Sequence, residues 1–189
     1  MMCSRTAVCL YGSVSLYKYL VNERSACSIC MQTVLQEEKI MLKGISPLIS
    51  PELLKVLCEM GHGDEIVLAD ANFPSETTGN RVIRADGIGA ADLLKAILPL
   101  FPLDMYEKDR FILMEVVPGD PVVPAIWDEY KKILNEQEPG TPVEFMERFS
   151  YYERAKNAYC VVATGETAQY ANIILKKGVV YTDQTKKSC

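Results

Sequence analysis

Short apolar runs separated by helix signals restrict the fold of this chain more than any other feature. Ile66-Val67-Leu68-Ala69 is a continuous apolar stretch closed by Asp70, which predicts a strand buried on both faces. Phe111 to Val117 and Tyr159 to Ala163 predict further strands, Arg81 to Arg84 a short one, and Ile173-Ile174-Leu175 the last. Helix signals fall between them. Ser50-Pro51-Glu52 supplies an N-cap, a first-turn proline and an acid at the positive helix end. Leu53, Leu54 and Leu57 then lie at helical spacing, and Gly61 is the stop. Further helices are predicted around Leu93, Leu94, Ile97 and Leu98, over Ala125 to Asn135, and over Tyr151 to Ala158. Alternating strands and helices predict an α/β fold, a three-layer α/β/α domain with a mixed, mostly parallel sheet.

At 189 residues the chain has the length of one domain, with the fold expected over residues 41–182. Residues 1–40 show no sustained period and read as a poorly ordered N-terminal extension, and residues 183–189 as a polar tail. Arg5 precedes a weak apolar stretch, but Tyr11, Gly12, Ser13 and Ser15 break it as a signal peptide; a mitochondrial-type leader is the rival, on Arg5, Lys18 and Arg24. The net charge of -5 argues against nucleic acid and against anionic membrane surfaces. No apolar run approaches the roughly 20 residues of a membrane span. Seven scattered cysteines are an odd number. Cys27-Ser28-Ile29-Cys30 has no second CxxC or histidine pair to complete a zinc site, and Cys58 and Cys160 read as small hydrophobes. Free thiols in a reducing cytoplasm fit this pattern.

The only histidine, His62, lies in Met60-Gly61-His62-Gly63-Asp64-Glu65, between the first helix and the first strand. Imidazole alone among unperturbed side chains changes charge near neutral pH, so a proton-transfer role has one obvious candidate. The bland alternative is a satisfied turn histidine. Asp70, at a strand's carboxyl end, either meets a ligand there or caps the following turn. Gly87-Ile88-Gly89-Ala90-Ala91-Asp92 begins like a dinucleotide fingerprint without the third small residue in register, and reads as a helix start. No P-loop or GxSxG is present. Tyr152, Tyr170 and Asn172 are uncharged hydrogen-bonding groups suited to a neutral polyol such as a sugar, although Tyr151-Tyr152-Glu153-Arg154 could equally be a helix with exposed charges.

From Leu42 to about Val180 the chain resembles the RbsD/FucU sugar-mutarotase family. The resemblance rests on Leu42-Lys43-Gly44-Ile45-Ser46-Pro47, Ser50-Pro51-Glu52-Leu53-Leu54, Met60-Gly61-His62-Gly63-Asp64-Glu65-Ile66 and Ile83-Arg84-Ala85-Asp86-Gly87. Phe149 with Tyr152-Glu153-Arg154-Ala155, Thr164-Gly165-Glu166 and Leu175-Lys176-Lys177-Gly178-Val179 follow in order. It implies an RbsD-like fold and interconversion of the α and β anomers of L-fucose without a cofactor or metal. It also implies a ring-shaped homo-oligomer, commonly a decamer, with sites near subunit contacts. His62 takes the proton donor's position, and Asp70, Asp104, Met114, Tyr152, Tyr170 and Asn172 take sugar-contact positions. Tyr152 or a water would handle the anomeric proton, and Asp70 would orient the imidazole or bind a hydroxyl. Where the family commonly has Tyr-Gly-Asn this chain has Tyr170-Ala171-Asn172, a perturbation if that glycine needs positive φ or close backbone approach. A non-catalytic sugar-binding or assembly protein and a ribose pyranase are the alternatives.

Overall fold

The computed structural model describes residues 42–181. The expectations for residues 1–40, for the Cys27–Cys30 motif and for the tail lie outside these residues. Helix α1 (Pro51–Glu59) leads to β1 (Glu65–Ala69), the four-residue α2 (Ser75–Thr78) and β2 (Val82–Ala85). Next come α3 (Ala90–Ile97), β3 (Phe111–Met114), α4 (Ile126–Gln137) and β4 (Glu144–Met146). Helix α5 (Arg148–Asn157), β5 (Cys160–Thr164) and β6 (Ile173–Lys176) complete the fold. Ser50 caps α1 as its type predicts, its side chain accepting from the Leu53 amide. Gly89 is the N-cap of α3, so the glycine pair does open a helix.

The six strands lie in the order β2-β5-β1-β6-β3-β4. β1 pairs in parallel with β5, β5 with β2, and β3 with β4; β6 runs antiparallel to both β1 and β3. Five strands therefore point one way. Successive side chains alternate between two cores, as a pleated strand requires. On one face Ile66, Leu68, Leu113, Val162 and Ile173 meet the apolar stripes of α1, α3 and α4. On the other Val67, Ala69, Ile112, Val161 and Ile174 meet Tyr151 and Ala155 of α5 together with Phe73. This is the three-layer arrangement that burial of every central strand on both sides demands. No helix among the described residues is long and apolar enough to cross a membrane.

The departures from the sequence reading are local. β3 stops at Met114 rather than Val117, the last position paired with β4. β4 carries no sequence signal: three residues at a sheet edge, with Phe145 exposed, contain no apolar run. α5 starts three residues before Tyr151, because the Glu147 side chain accepts from the amides of Phe149 and Ser150. Cys58 is exposed rather than packed as a small hydrophobe, whereas Cys160 is buried and burial pushes its thiol up to about 11. Arg154 is not a solvated charge either. Its guanidinium grips Glu65 at the start of β1 and donates to Asp109 Oδ2 at 2.7 Å, tying α5 to the sheet.

Candidate active site

The residues singled out in the sequence collect at two opposite edges of the sheet. β1 separates them. His62 precedes its first residue and Asp70 follows its last, and five residues at about 3.3 Å each set them on the order of 16 Å apart.

At the first edge, Gly63 at φ +86° makes the turn that carries His62, a conformation glycine adopts at no steric cost. The Gly63 amide donates to Lys177 O at 2.8 Å, the Lys177 amide donates to Asp64 O at 2.8 Å, and the Gly61 amide donates to Asp64 Oδ2 at 2.7 Å. This turn leaves the imidazole 48% exposed, with Nε2 at 3.1 Å from Oδ2 of Asp104, whose own side chain is 3% exposed. A carboxylate accepts, so Nε2 carries the hydrogen of the pair and Nδ1 is left for a substrate. The Tyr106 amide donates to the other carboxylate oxygen at 3.0 Å, and its ring stands edge-on to the imidazole with centroids 5.9 Å apart. Asp104, named only through the resemblance, is thus the group that orients His62. Within one chain Asp70 is not.

At the second edge, Asn172 and Asp70 hold each other twice: Asn172 Nδ2 donates to Asp70 Oδ2 at 2.7 Å, and the Asp70 amide donates to Asn172 Oδ1 at 2.9 Å. Asp70 Oδ1 also accepts from the Asn72 amide at 2.9 Å, so it caps its turn as well as facing the site. Burial raises the Asp70 carboxyl above its ordinary range, opposed by the hydrogen bonds from Asn72 and Asn172. A cavity of about 500 Å³ opens beside it, lined by Asp70, Phe73, Ser75, Arg84, Asp86 and Thr164. Tyr152 packs its ring against Phe73 with centroids 5.4 Å apart, and Met114 lies buried in the same cluster. The Tyr170 hydroxyl donates to Asp120 Oδ2 at 2.6 Å, which holds its phenol above the usual value.

Three residues of this edge escaped the sequence reading. Trp127 Nε1 donates to Tyr170 O at 2.8 Å and Asp120 takes the phenol, yet both come from segments more than forty residues away. Arg148 left a signal. It is a cation at the positive end of α5, where the helix dipole disfavours it, and its Nε is buried without a hydrogen-bond partner. Among the described residues, no group of three or more His, Cys, Asp or Glu side chains is arranged to hold a metal ion.

The positive φ in the Tyr170-Ala171-Asn172 segment, +57°, belongs to Tyr170, not to Ala171. The Ala171 methyl is fully buried in the main core, and its carbonyl accepts from the Tyr130 hydroxyl at 3.0 Å. Ala171→Gly is therefore expected to leave activity unchanged and to lower stability by about 1 kcal/mol, through the lost methyl and a looser unfolded backbone, as read by denaturant unfolding.

The profile of the RbsD / FucU transport protein family matches residues 43–180. A protein of Actinobacillus pleuropneumoniae named L-fucose mutarotase is 56% identical over 140 residues, covering 74% of this chain and 97% of its own. The crystal structure of FucU from Bifidobacterium longum superimposes with a TM-score of 0.72 at 56% identity, over 74% of this chain and 100% of that one. The fucose mutarotase of Streptococcus pneumoniae, solved in complex with L-fucose, gives 0.71 at 52% identity, again over 74% and 100%.

Proposed function

Because this chain belongs to the RbsD / FucU family, we propose that it is an isomerase interconverting the α and β anomers of L-fucose. The observation that carries the reading is the pairing of the chain's only imidazole with a buried carboxylate at 3.1 Å. In ring opening, the imidazolium form of His62, with Nε2–H held by Asp104, gives its Nδ1 proton to the ring oxygen as that oxygen's bond to the anomeric carbon breaks, while Tyr152 or a water accepts the anomeric hydroxyl proton. The open aldehyde turns about the neighbouring carbon–carbon bond. The freed hydroxyl then adds to the other carbonyl face and returns its proton to Nδ1, while the carbonyl oxygen, now the new anomeric hydroxyl, takes back the proton held by Tyr152 or the water. A group with a pKa near ambient pH serves in both directions. No carbon–hydrogen bond breaks, so no hydride acceptor enters the balance.

Asp70 and Asn172, with Tyr170, accept from and donate to the sugar hydroxyls, and the unpartnered Nε of Arg148 is a donor that a hydroxyl would satisfy. Because His62 stands at the other edge of the sheet, one site needs two copies of the chain. His62, Asp104 and Tyr106 of one copy face Asp70, Tyr152, Tyr170 and Asn172 of the next. Exposed apolar residues support such a head-to-tail contact: Met105, Tyr106 and Val180 rim one edge, Phe145 and Phe149 the other. A heterologous contact that closes on itself makes a ring. The reading also places the protein in the cytoplasm, where the free thiols of Cys58 and Cys160 stay reduced.

Saturation-transfer NMR across L-fucose, D-ribose and galactose tests the assignment. Exchange between fucose anomers is expected to run well above the buffer rate, and faster than the other two sugars. Binding of fucose with no acceleration would leave only a sugar-binding protein, and preferential exchange of ribose would make the chain a pyranase.

A further inference from the structure

Lys177 touches neither reacting group at His62 nor the sugar edge, yet it stands between the two halves of the proton-transfer pair. Its Nζ donates to Leu57 O and to Met60 O, both at 2.6 Å. These are carbonyls of the last turn and C-cap of α1, a helix whose final turn has no basic residue of its own. A cation there satisfies two orphan acceptors and opposes the negative end of the helix dipole. The ammonium also lies 5.9 Å from the centre of the buried Phe101 ring. Its backbone holds the other end of the same turn through Gly63 N and Asp64 O. On its far side Lys177 forms an antiparallel bridge with Leu103, next to Asp104, whose amide donates to Lys176 O at 3.1 Å. Gly178 completes the seam: a Cβ there would fall 2.4 Å from Leu103 O, so only glycine permits the approach.

We infer that Lys177 is a positioning residue for catalysis: by clamping the end of α1 on one side and the Asp104 segment on the other, it sets the 3.1 Å contact between His62 and Asp104. The inference rests on the proposed mutarotase reading, but its consequence for the imidazole does not. Without the ammonium, the α1 carbonyls lose their donor and the Gly61–Asp64 turn loses one of its two anchors. His62 then samples orientations in which Nε2 leaves the carboxylate.

The test compares Lys177→Met, Lys177→Gln and Lys177→Arg in the full chain. The single histidine makes imidazole ¹⁵N spectra unambiguous. Wild-type protein is expected to hold the Nε2–H tautomer. Lys177→Met should give mixed tautomers and a fucose-exchange kcat lower by about tenfold to 10²-fold, the scale of an ångström-sized misplacement, with KM within about twofold. Lys177→Gln and Lys177→Arg, which still donate to the two carbonyls, should restore both signals in large part. A Lys177→Met protein with the wild-type tautomer and full kcat overturns the inference; if it fails to fold, unrestored signals in folded Gln and Arg variants overturn it equally. If wild-type protein exchanges no anomers, the functional reading fails alone, and the ¹⁵N spectra still decide what Lys177 does.

Discussion

His62→Gln is expected to reduce fucose anomer exchange to near the buffer rate while leaving the fold intact. The glutamine amide can still donate to Asp104 Oδ2, so the buried carboxylate keeps a partner and the turn keeps its shape. What disappears is a group able to give and take a proton near neutral pH. General acid–base participation contributes about 10²–10⁴-fold per proton transferred, and a reversible ring opening uses the same group twice. No second histidine is available anywhere in the chain to take over. Circular dichroism and size-exclusion profiles should match the wild type, with the exchange rate alone collapsing. Full activity in the variant would remove His62 from the mechanism and turn attention to Asp70, the second-edge carboxyl that burial raises above its ordinary range.

The fold was legible because its central strands are buried on both faces. Ile66 to Ala69 and Cys160 to Ala163 contribute side chains to both cores, and such a strand must be apolar at every position. The short edge pieces were not legible for the opposite reason. β4 needs no apolar run because one of its faces meets solvent, and α2 is held by its loop rather than by a stripe of its own. The site shows the same division. His62 and Asp70 stand out in one dimension because rarity and position mark them. Asp104 does not, since what distinguishes it is a contact across 42 residues that only the β6–Leu103 seam creates. With the resemblance in hand, Asp70 is expected either to orient the imidazole or to bind a sugar hydroxyl, and within one chain the first is ruled out. A strand lies between Asp70 and His62, and at about 3.3 Å per residue it carries the chain about twice as far as the roughly 1.5 Å per residue of a helix would.

That separation yields the sharpest expectation. If His62 of one copy and Asp70 of the next complete each site, then His62→Gln and Asp70→Asn proteins, each inactive alone, should recover activity when co-assembled. Every site in a pure His62→Gln ring lacks the imidazole, and every site in a pure Asp70→Asn ring lacks the carboxylate. In a randomly mixed ring about one contact in four joins an intact His62 edge to an intact Asp70 edge, so exchange should rise from near zero toward a quarter of the wild-type rate. The recovered rate should follow the product of the two mole fractions, greatest at equal mixing, with native mass spectrometry confirming mixed rings. Two lesions in one chain, mixed with wild-type subunits, should instead lower the rate as the wild-type fraction squared, since only wild-type neighbours form an intact contact. A site contained within a single chain predicts no recovery at any ratio and a simple linear dilution, and either result would end the two-copy assignment.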